Sequence, residues 1–256
     1  MDPQQVNKPQ IGLQLYTLRD QMACDFSGTL RQVAEIGFRG VETAFFSPDI
    51  TLERASRELR DLNLQMFCAH TDLPLSDKRD DALRTAEAFG CKRIVWHGWP
   101  EDARYSSLAG IQALIEEYNA AEEVASKNGL HLGLHNHWWE MTPVEGQLPH
   151  QLLAQHLNPR IFFELDVYWA TVAGRDAVQL INNLGSRAPL LHVKDGPAVR
   201  HQPMTAIGAG VLNIPAIVQA AVENNAEWLI IELDECATDM METVRQSYQY
   251  LSKINE

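Results

Sequence analysis

Long hydrophobic runs are absent from this 256-residue chain. None reaches the roughly 18 consecutive apolar residues that a membrane-spanning helix needs, so a helical membrane protein is not expected. The first ten residues are polar and lack the apolar segment of a signal peptide. Export and membrane association are therefore not expected, and a cytoplasmic location is predicted.

Cysteine is scarce and scattered. The chain has four cysteines, Cys24, Cys68, Cys91 and Cys236, and no two of them form a C-x-x-C pair. Such spacing is not typical of a disulfide framework or of a structural zinc site. We expect these side chains to be small core residues in a reducing compartment.

Basic residues are outnumbered by acidic ones. The chain carries 21 Lys and Arg against 34 Asp and Glu, a formal net charge of −13. An acidic protein repels phosphate backbones, so nucleic acid is not an expected partner. No Gly/Ser-rich linker, charge block or low-complexity segment divides the sequence. We predict a single domain over residues 1–256, with a polar N-terminal extension over residues 1–10.

What the sequence does have is a regular alternation of short apolar runs and longer amphipathic stretches. We predict strands over residues 11–16, 40–44, 64–69, 93–97, 130–135, 161–166, 190–194 and 229–233. We predict helices over residues 28–36, 51–62, 80–89, 107–128, 149–156, 176–184, 214–225 and 238–253. Eight strand–helix units predict an α/β fold whose parallel sheet closes into a (β/α)8 TIM barrel. An open, doubly wound sheet would need a Gly-rich phosphate loop after the first strand, where this chain has Gln14-Leu15-Tyr16-Thr17.

Capping residues mark the ends of some of these helices. Ser27 or Thr29 is expected to cap the first predicted helix, and Gly37 follows its last apolar position. The pair Asn128-Gly129 is expected to end the fourth helix, directly before the strand that opens at Leu130.

Residue types that bind divalent metals stand at the ends of four predicted strands. The four runs are His135-Asn136-His137-Trp138-Trp139-Glu140, Glu164-Leu165-Asp166, His192-Val193-Lys194-Asp195 and Glu232-Leu233-Asp234. The carboxyl ends of barrel strands meet at one rim. Because desolvating a carboxylate is costly without a partner, several such residues at one rim indicate a shared cation. Polar groups flanked by tryptophans also suit a sugar-like ligand.

Each of these residues also has a structural interpretation. A single histidine at a strand end is more often a hydrogen-bonded core residue than a metal ligand. Asp166 could cap the helix that follows it, and Glu232 could pair with an arginine. The pair Trp138-Trp139 could pack at the barrel edge. Together, however, carboxylates without a cation would repel one another in a confined site.

The sequence resembles the sugar phosphate isomerase/epimerase family of the xylose isomerase-like TIM barrel superfamily, from about Ile11 to the end of the chain. The motifs that carry the resemblance lie at residues 12–17, 37–42, 135–140, 164–169, 192–195 and 208–210, together with Glu232. It implies one divalent cation (Mn²⁺, Mg²⁺, Co²⁺ or Zn²⁺) held by Asp166, His192, Glu232 and a fourth ligand. Glu140 is the preferred fourth ligand and His135 the substitute.

The resemblance and the metal site together predict an isomerase or epimerase that acts on a sugar or keto-sugar, free or as a phosphate or acid derivative, through an enediolate. The catalytic residues are predicted to be Glu140, Glu232 and Lys194: Glu140 or a nearby histidine removes the proton, Glu232 returns it, and Lys194 contacts a substrate oxygen. The predicted substrate-binding residues are Gln14, Glu42, His70, His97, Trp99, His137 and Trp169. A small-molecule sugar is the expected partner, and a homo-oligomer is left open.

Three other functions are considered. A lyase or dehydratase acting on a keto-sugar or keto-inositol would use the same metal site. A non-catalytic sugar-binding barrel would keep the fold, although the intact Asp166, His192 and Glu232 set argues against it. The related endonuclease IV carries an Asp-x-x-His motif on the sixth strand, where the fourth position here is Trp169. That difference makes a nuclease doubtful.

Overall fold

A closed barrel of eight parallel strands forms the centre of the computed structural model, which describes residues 8–43, 46–47 and 49–255. The strands are β1 Gln10–Gln14, β2 Gly40–Thr43, β3 Gln65–Thr71, β4 Arg93–Trp96, β5 His131–His135, β6 Phe162–Asp166, β7 Leu190–Val193 and β8 Trp228–Ile231. They follow one another around the barrel in chain order, and β8 pairs with β1 to close it. The predicted (β/α)8 barrel is confirmed.

Helices surround the barrel. They are α1 Arg19–Cys24, α2 Phe26–Ile36, α3 Leu52–Asp61, α4 Arg79–Phe89, α5 Leu108–Lys127, α6 Pro149–His156, α7 Val167–Val172, α8 Ala177–Leu184, α9 Ile214–Glu223 and α10 Met240–Ile254. Of these, α1 and α7 were not predicted, because six residues are too few to show a helical period. No described helix has the length and apolar character needed to cross a membrane.

Three strand ends differ from the prediction by two residues, and several other boundaries differ by one. The last strand ends at Ile231, before the predicted residue 233. The first strand ends at Gln14, before the predicted Tyr16, because the Gln14 side chain accepts a hydrogen bond from the Tyr16 N–H and turns the chain into a 3-10 helix. The third strand runs on to Thr71 and so includes His70. The predicted last residue of strand two, Ala44, lies outside the described residues, as do residues 1–7 of the predicted N-terminal extension.

The helix caps agree with the sequence in two cases out of three. Gly37 caps the C-terminus of α2 with a φ of 124° that glycine adopts easily, and Asn128 caps the C-terminus of α5. The expected caps Ser27 and Thr29 are wrong. The helix begins earlier, and the carboxylate of Asp25 accepts the hydrogen bond from the Gly28 N–H at 2.9 Å.

Side chains that point into the barrel change from apolar to polar along each strand. At the lower end Phe67 stacks on Trp228, with ring centroids 4.1 Å apart. A Cβ atom at Gly40 would overlap the Trp228 ring, so this glycine makes room for the tryptophan. Because side chains alternate along a strand, β6 presents Phe162, Glu164 and Asp166 in turn, and β7 continues from Leu190 to His192 and Lys194. Apolar packing therefore closes the lower end, and charged groups collect at the carboxyl end.

Candidate metal centre and active-site cavity

A cavity of about 400 Å³ opens at the carboxyl ends of the strands. Among the residues predicted from the sequence, it is lined by His70, His97, Trp99, His135, His137, Trp169, Lys194 and Glu232. Trp99 is the most open of the large apolar side chains here, with 56% of its surface exposed. With Arg19, Arg200, Asp234 and Glu235 also on its wall, the cavity combines imidazoles, cationic groups and carboxylates with aromatic faces.

Four buried side chains from successive strands form what we call the upper group: His135, Asp166, His192 and Glu232. Their potential ligand atoms all lie within 4.8 Å of one another. His135 Nε2 lies 4.0 Å from Asp166 Oδ2, and His192 Nδ1 lies 2.7 Å from Glu232 Oε2. Two imidazoles and two carboxylates are a donor set that divalent transition metals accept.

Asp166 both caps a helix and faces the upper group. Its Oδ1 accepts a hydrogen bond from the Trp169 N–H at 2.8 Å, at the start of α7. Its buried Oδ2 takes no part in capping the helix and faces the Lys194 ammonium, 2.9 Å away. Asp166 can therefore cap the helix and bind a metal at the same time, because capping uses Oδ1 and a metal would be bound by Oδ2. Oδ2 is the atom that a cation in the upper group would contact, and with two imidazoles and the Glu232 carboxylate beside it the residues present fit a metal ion.

A second set of charged side chains, which we call the lower group, lies deeper in the barrel: Glu42, His70 and Glu164. His70 Nε2 lies 2.5 Å from Glu42 Oε1 and 2.6 Å from Glu164 Oε2. Burial by itself lowers the pKa of His70, but the two carboxylates outweigh it and raise that pKa to about 10. In the sequence Glu164 stands at the end of a predicted strand, and no role is predicted for it. Its position two residues before Asp166 on the same strand is the signal that places it inside the barrel.

Lys194 is buried among three carboxylates. Its Nζ lies 2.9 Å from Asp166 Oδ2, 2.8 Å from Glu232 Oε2 and 3.1 Å from Asp234 Oδ2. Burial lowers the pKa of Lys194, but these carboxylates outweigh it and hold that pKa well above its usual value. In turn, burial raises the pKa of Glu232, but Lys194 and His192 outweigh it and keep that pKa well below the usual range. Both groups are therefore charged at neutral pH.

Glu140, the preferred fourth ligand in the sequence analysis, lies apart from the upper group. Its Oε2 accepts a hydrogen bond from the backbone N–H of His137 at 2.8 Å, because the turn after β5 folds this side chain back under its own loop. It faces a small separate cavity beside Tyr105 and Tyr118, and burial raises its pKa to about 8. The geometry therefore favours the substitute ligand, His135.

Two predicted substrate-binding residues, Gln14 and Glu42, lie beneath the cavity and do not line it. Both are fully buried, and Gln14 Nε2 donates a hydrogen bond to Glu42 Oε1 at 2.6 Å. By contrast, His97 and His137 line the cavity, and burial lowers the pKa of His97 to about 4. The ring of His137 stacks on Trp139 at 4.3 Å, and its buried Nδ1 receives no hydrogen bond from the described residues.

Asp195 anchors the long loop between β7 and α9. Its carboxylate accepts hydrogen bonds from four backbone N–H groups, those of Gly196, Gly208, Gly210 and Leu212, at 2.8–3.2 Å. Asp195, which the sequence places at the end of a predicted strand, therefore has a structural role: it stabilises this loop.

Cationic residues of the cavity were missed by the sequence analysis. Arg200, on the loop that Asp195 anchors, lies with its guanidinium 4.3 Å from the centre of the Trp138 ring. Arg19 donates hydrogen bonds to the carbonyl oxygens of Tyr16 and Asp234. The loop carrying Arg200 has no periodicity, so its sequence gives no signal for this contact.

Comparisons with known proteins agree with this architecture. The sequence model of the family described as "Xylose isomerase-like TIM barrel" matches residues 30–254. A sugar phosphate isomerase/epimerase from Parabacteroides distasonis superposes with a TM-score of 0.79 at 23% identity, covering 98% of this chain and 96% of that one. No curated protein matches the chain.

Two further solved structures share the fold at lower identity. A probable 3-DHS dehydratase from Bacillus anthracis, involved in petrobactin synthesis, superposes with a TM-score of 0.78 at 16% identity, covering 95% of this chain and 98% of that one. The IOLI protein, solved with a bound zinc atom, gives a TM-score of 0.72 at 10% identity, covering 96% of this chain and 98% of that one. The barrel is thus shared by proteins whose names denote different reactions.

Proposed function

The chain belongs to the xylose isomerase-like TIM barrel family, and from that premise we propose that it is a metal-dependent isomerase or epimerase of a sugar or keto-sugar, free or as a phosphate or acid derivative. The observation that carries this proposal is the upper group, which brings four ligand-type side chains from four strands together beside a cavity lined with histidine and tryptophan. A barrel of this kind places its chemistry at that rim.

The metal would be held by His135, Asp166, His192 and Glu232. A divalent cation at such a site polarises a substrate carbonyl and stabilises the negative charge that develops when the neighbouring C–H is deprotonated. Two nitrogen and two oxygen donors suit Mn²⁺, Co²⁺ or Zn²⁺, and Mg²⁺ with added water. Without a cation, the negative charge of Asp166 and Glu232 is compensated by the ammonium group of Lys194.

Side chains that line the cavity would remove the substrate proton and return it. Glu232 is an ionised carboxylate there, and His137 presents an imidazole whose pKa is kept well below its usual value by burial. A base on one side of the substrate carbon and an acid on the other exchange its proton. Returning the proton to the opposite face gives epimerisation, and returning it to the adjacent carbon gives isomerisation. Because Glu140 does not line this cavity, the histidine is the better candidate for the first step.

The aromatic side chains would orient the substrate. Trp99 and Trp169 present ring faces at the cavity, on which the C–H faces of a sugar can pack, while His97 offers a neutral imidazole for a hydroxyl group. Aromatic faces combined with a few polar groups are typical of small-molecule sites.

Elimination is the second candidate. The fold match to a probable 3-DHS dehydratase shows that a protein so named shares this barrel, and both reactions begin with removal of a proton next to a carbonyl. The two differ only in whether a leaving group on the next carbon departs. Product analysis separates them, because elimination releases water and leaves a double bond.

Solvent exchange tests the proposal. Incubating the protein, Mn²⁺ and a panel of ketoses and keto-inositols in D₂O should put deuterium at the carbon next to the carbonyl of a substrate. The Glu232→Gln variant should suppress this uptake strongly, because an amide does not exchange protons as a carboxylate does. Turnover without uptake of deuterium would remove the proton-transfer roles of Glu232 and His137. The matched control is Glu122→Gln. Glu122 is a buried glutamate on the outer helix α5, and it pairs with Arg160.

A further inference from the structure

The imidazole rings of His135 and His192 stand between two groups of carboxylates. In each ring one nitrogen faces the upper group: His135 Nε2 lies 4.0 Å from Asp166 Oδ2, and His192 Nδ1 lies 2.7 Å from Glu232 Oε2. The other nitrogen of each ring faces the carboxylates of the lower group, and that of His192 lies 3.3 Å from Glu42 Oε1. His135 Nδ1 and His192 Nε2 both lie 3.1 Å from Glu164 Oε2.

This arrangement constrains the tautomer of each ring. A neutral imidazole carries one N–H, so the nitrogen that binds a cation must be bare and the other must donate a hydrogen bond. If the cation lies in the upper group, the N–H groups are those of His135 Nδ1 and His192 Nε2. Glu164 Oε2 is within reach of both. A carboxylate behind a ligand histidine fixes the orientation of the ring and raises its basicity.

Glu164 is itself held in place from below. His70 Nε2 lies 2.6 Å from Glu164 Oε2 and 2.5 Å from Glu42 Oε1, and Gln14 Nε2 donates to Glu42 at 2.6 Å. All four side chains are buried. Side chains from β1, β2, β3 and β6 therefore form one connected network beneath the two histidines.

We propose that Glu164 is a positioning residue for the metal centre: once a cation is bound, it is the shared acceptor that holds His135 and His192 as neutral tautomers with their cation-binding nitrogens toward Asp166 and Glu232. The proposal rests on the upper group being the cation site of the proposed function. It also gives Gln14, Glu42 and His70 a role in supporting Glu164, at positions where a direct substrate contact was predicted from the sequence.

The competing location for the cation is the lower side of the same rings. His70, His135, Glu164 and His192 also bring potential ligand atoms within 4.8 Å of one another, and Glu164 Oε1 has no hydrogen-bond partner among the described residues. Cations on both sides at once would require both nitrogens of each ring to be bare, which a neutral imidazole does not allow. The upper side is favoured because Glu232, a carboxylate of the upper group, lines the cavity, whereas Glu164, the carboxylate of the competing set, does not.

Zinc affinity of Glu164 variants tests the proposal. In competition with a chelator, Glu164→Ala should bind Zn²⁺ about 10–100-fold more weakly than the parent while still binding one equivalent. Glu164→Gln should lose less, since its amide oxygen can still accept one hydrogen bond. The control is Glu122→Ala, which removes a buried carboxylate far from the rings and should leave zinc affinity unchanged. Unchanged affinity in Glu164→Ala would overturn the positioning role.

The outcome for Asp166→Ala separates this inference from the proposed function. Loss of zinc in Asp166→Ala, with full affinity in Glu164→Ala, would leave the metal site standing and remove only the positioning role. Loss of zinc in Glu164→Ala, with a full equivalent in Asp166→Ala, would show that Glu164 is itself a ligand and overturn both. A parent protein that binds no zinc would also overturn both.

The tautomers can be read directly in the unaltered protein, which avoids variants that fail to fold. In zinc-loaded protein with ¹⁵N-labelled histidine, long-range ¹H–¹⁵N spectra should show the proton on Nδ1 of His135 and on Nε2 of His192. Because a cation in the upper group requires this pair of tautomers, the spectra test where the cation lies, and the zinc affinity of the Glu164 variants tests the positioning role. Protons found on His135 Nε2 or His192 Nδ1 would overturn the inference.

Discussion

Lys194 Nζ lies 2.9 Å from Asp166 Oδ2, so the oxygen that would contact a cation is already paired with an ammonium group. The same ammonium lies 2.8 Å from Glu232 Oε2. A lysine and a divalent cation therefore share the charge of the same two carboxylates. Lys194 is part of the electrostatic balance of the metal centre, in addition to any contact with substrate.

Replacing Lys194 should separate these roles. Without the ammonium, the buried carboxylates of Asp166 and Glu232 have less compensation, so Lys194→Met should lower the free energy of unfolding of the metal-free protein by about 3–5 kcal/mol. The loss should shrink when Mn²⁺ is added, because the cation then compensates the acids. Urea unfolding with and without Mn²⁺ measures this. Lys127→Met is the control, since Lys127 pairs with Glu123 on the exposed surface of α5. An unchanged stability would return Lys194 to the purely substrate-binding role predicted from the sequence.

Metal content should follow the upper group. Elemental analysis should find about one equivalent in the parent and none in His192→Ala or Asp166→Ala, because each loses a ligand of a four-residue site. Glu140→Gln should keep its metal, since Glu140 is outside the upper group and accepts a hydrogen bond from the His137 backbone. Loss of metal in Glu140→Gln, with retention in His135→Ala, would reinstate Glu140 as the fourth ligand.

Asn136 should matter for the position of Asp166. Its Oδ1 accepts from the Asp166 N–H at 2.9 Å, and its Nδ2 donates to the Asp166 carbonyl at 3.3 Å. Because both backbone groups are buried, Asn136→Ala should cost about 1–3 kcal/mol of stability and weaken Mn²⁺ binding. Thermal unfolding and a metal titration measure the two effects. Asn158→Ala, which alters a hydrogen bond remote from the site, should leave Mn²⁺ binding unchanged.

His150 should make the fold sensitive to acid. Burial lowers the pKa of His150 from 6.5 to about 4. Between these values the unfolded chain binds a proton that the folded protein does not, so stability is present above pH 6.5 and is lost as the pH falls toward 4. His150→Phe removes this titration. Its stability relative to the parent should therefore improve by on the order of 2–3 kcal/mol between pH 7 and pH 4. A difference in stability that does not change with pH would contradict the pKa assignment.

Much of the barrel follows from local sequence patterns. The ends of β6 and β7 and the position of Glu232 just after β8 follow from the patterns of buried strands, and the barrel brings Asp166, His192 and Glu232 close together. Their role as metal ligands, which the family resemblance implies, stays a prediction. The choice between His135 and Glu140 depends on how the turn after β5 folds, which no periodicity encodes. The network of Glu42, His70 and Glu164 forms across strands distant in sequence, and only the closed barrel brings them into contact.

The most direct test of the central claim is a crystal structure of the protein loaded with Mn²⁺, with the metal located by anomalous scattering. The account predicts one strong peak per chain, contacted by His135 Nε2, Asp166 Oδ2, His192 Nδ1 and a Glu232 oxygen. A peak between His70 and Glu164, a peak at Glu140, or no peak at the strand ends would contradict it.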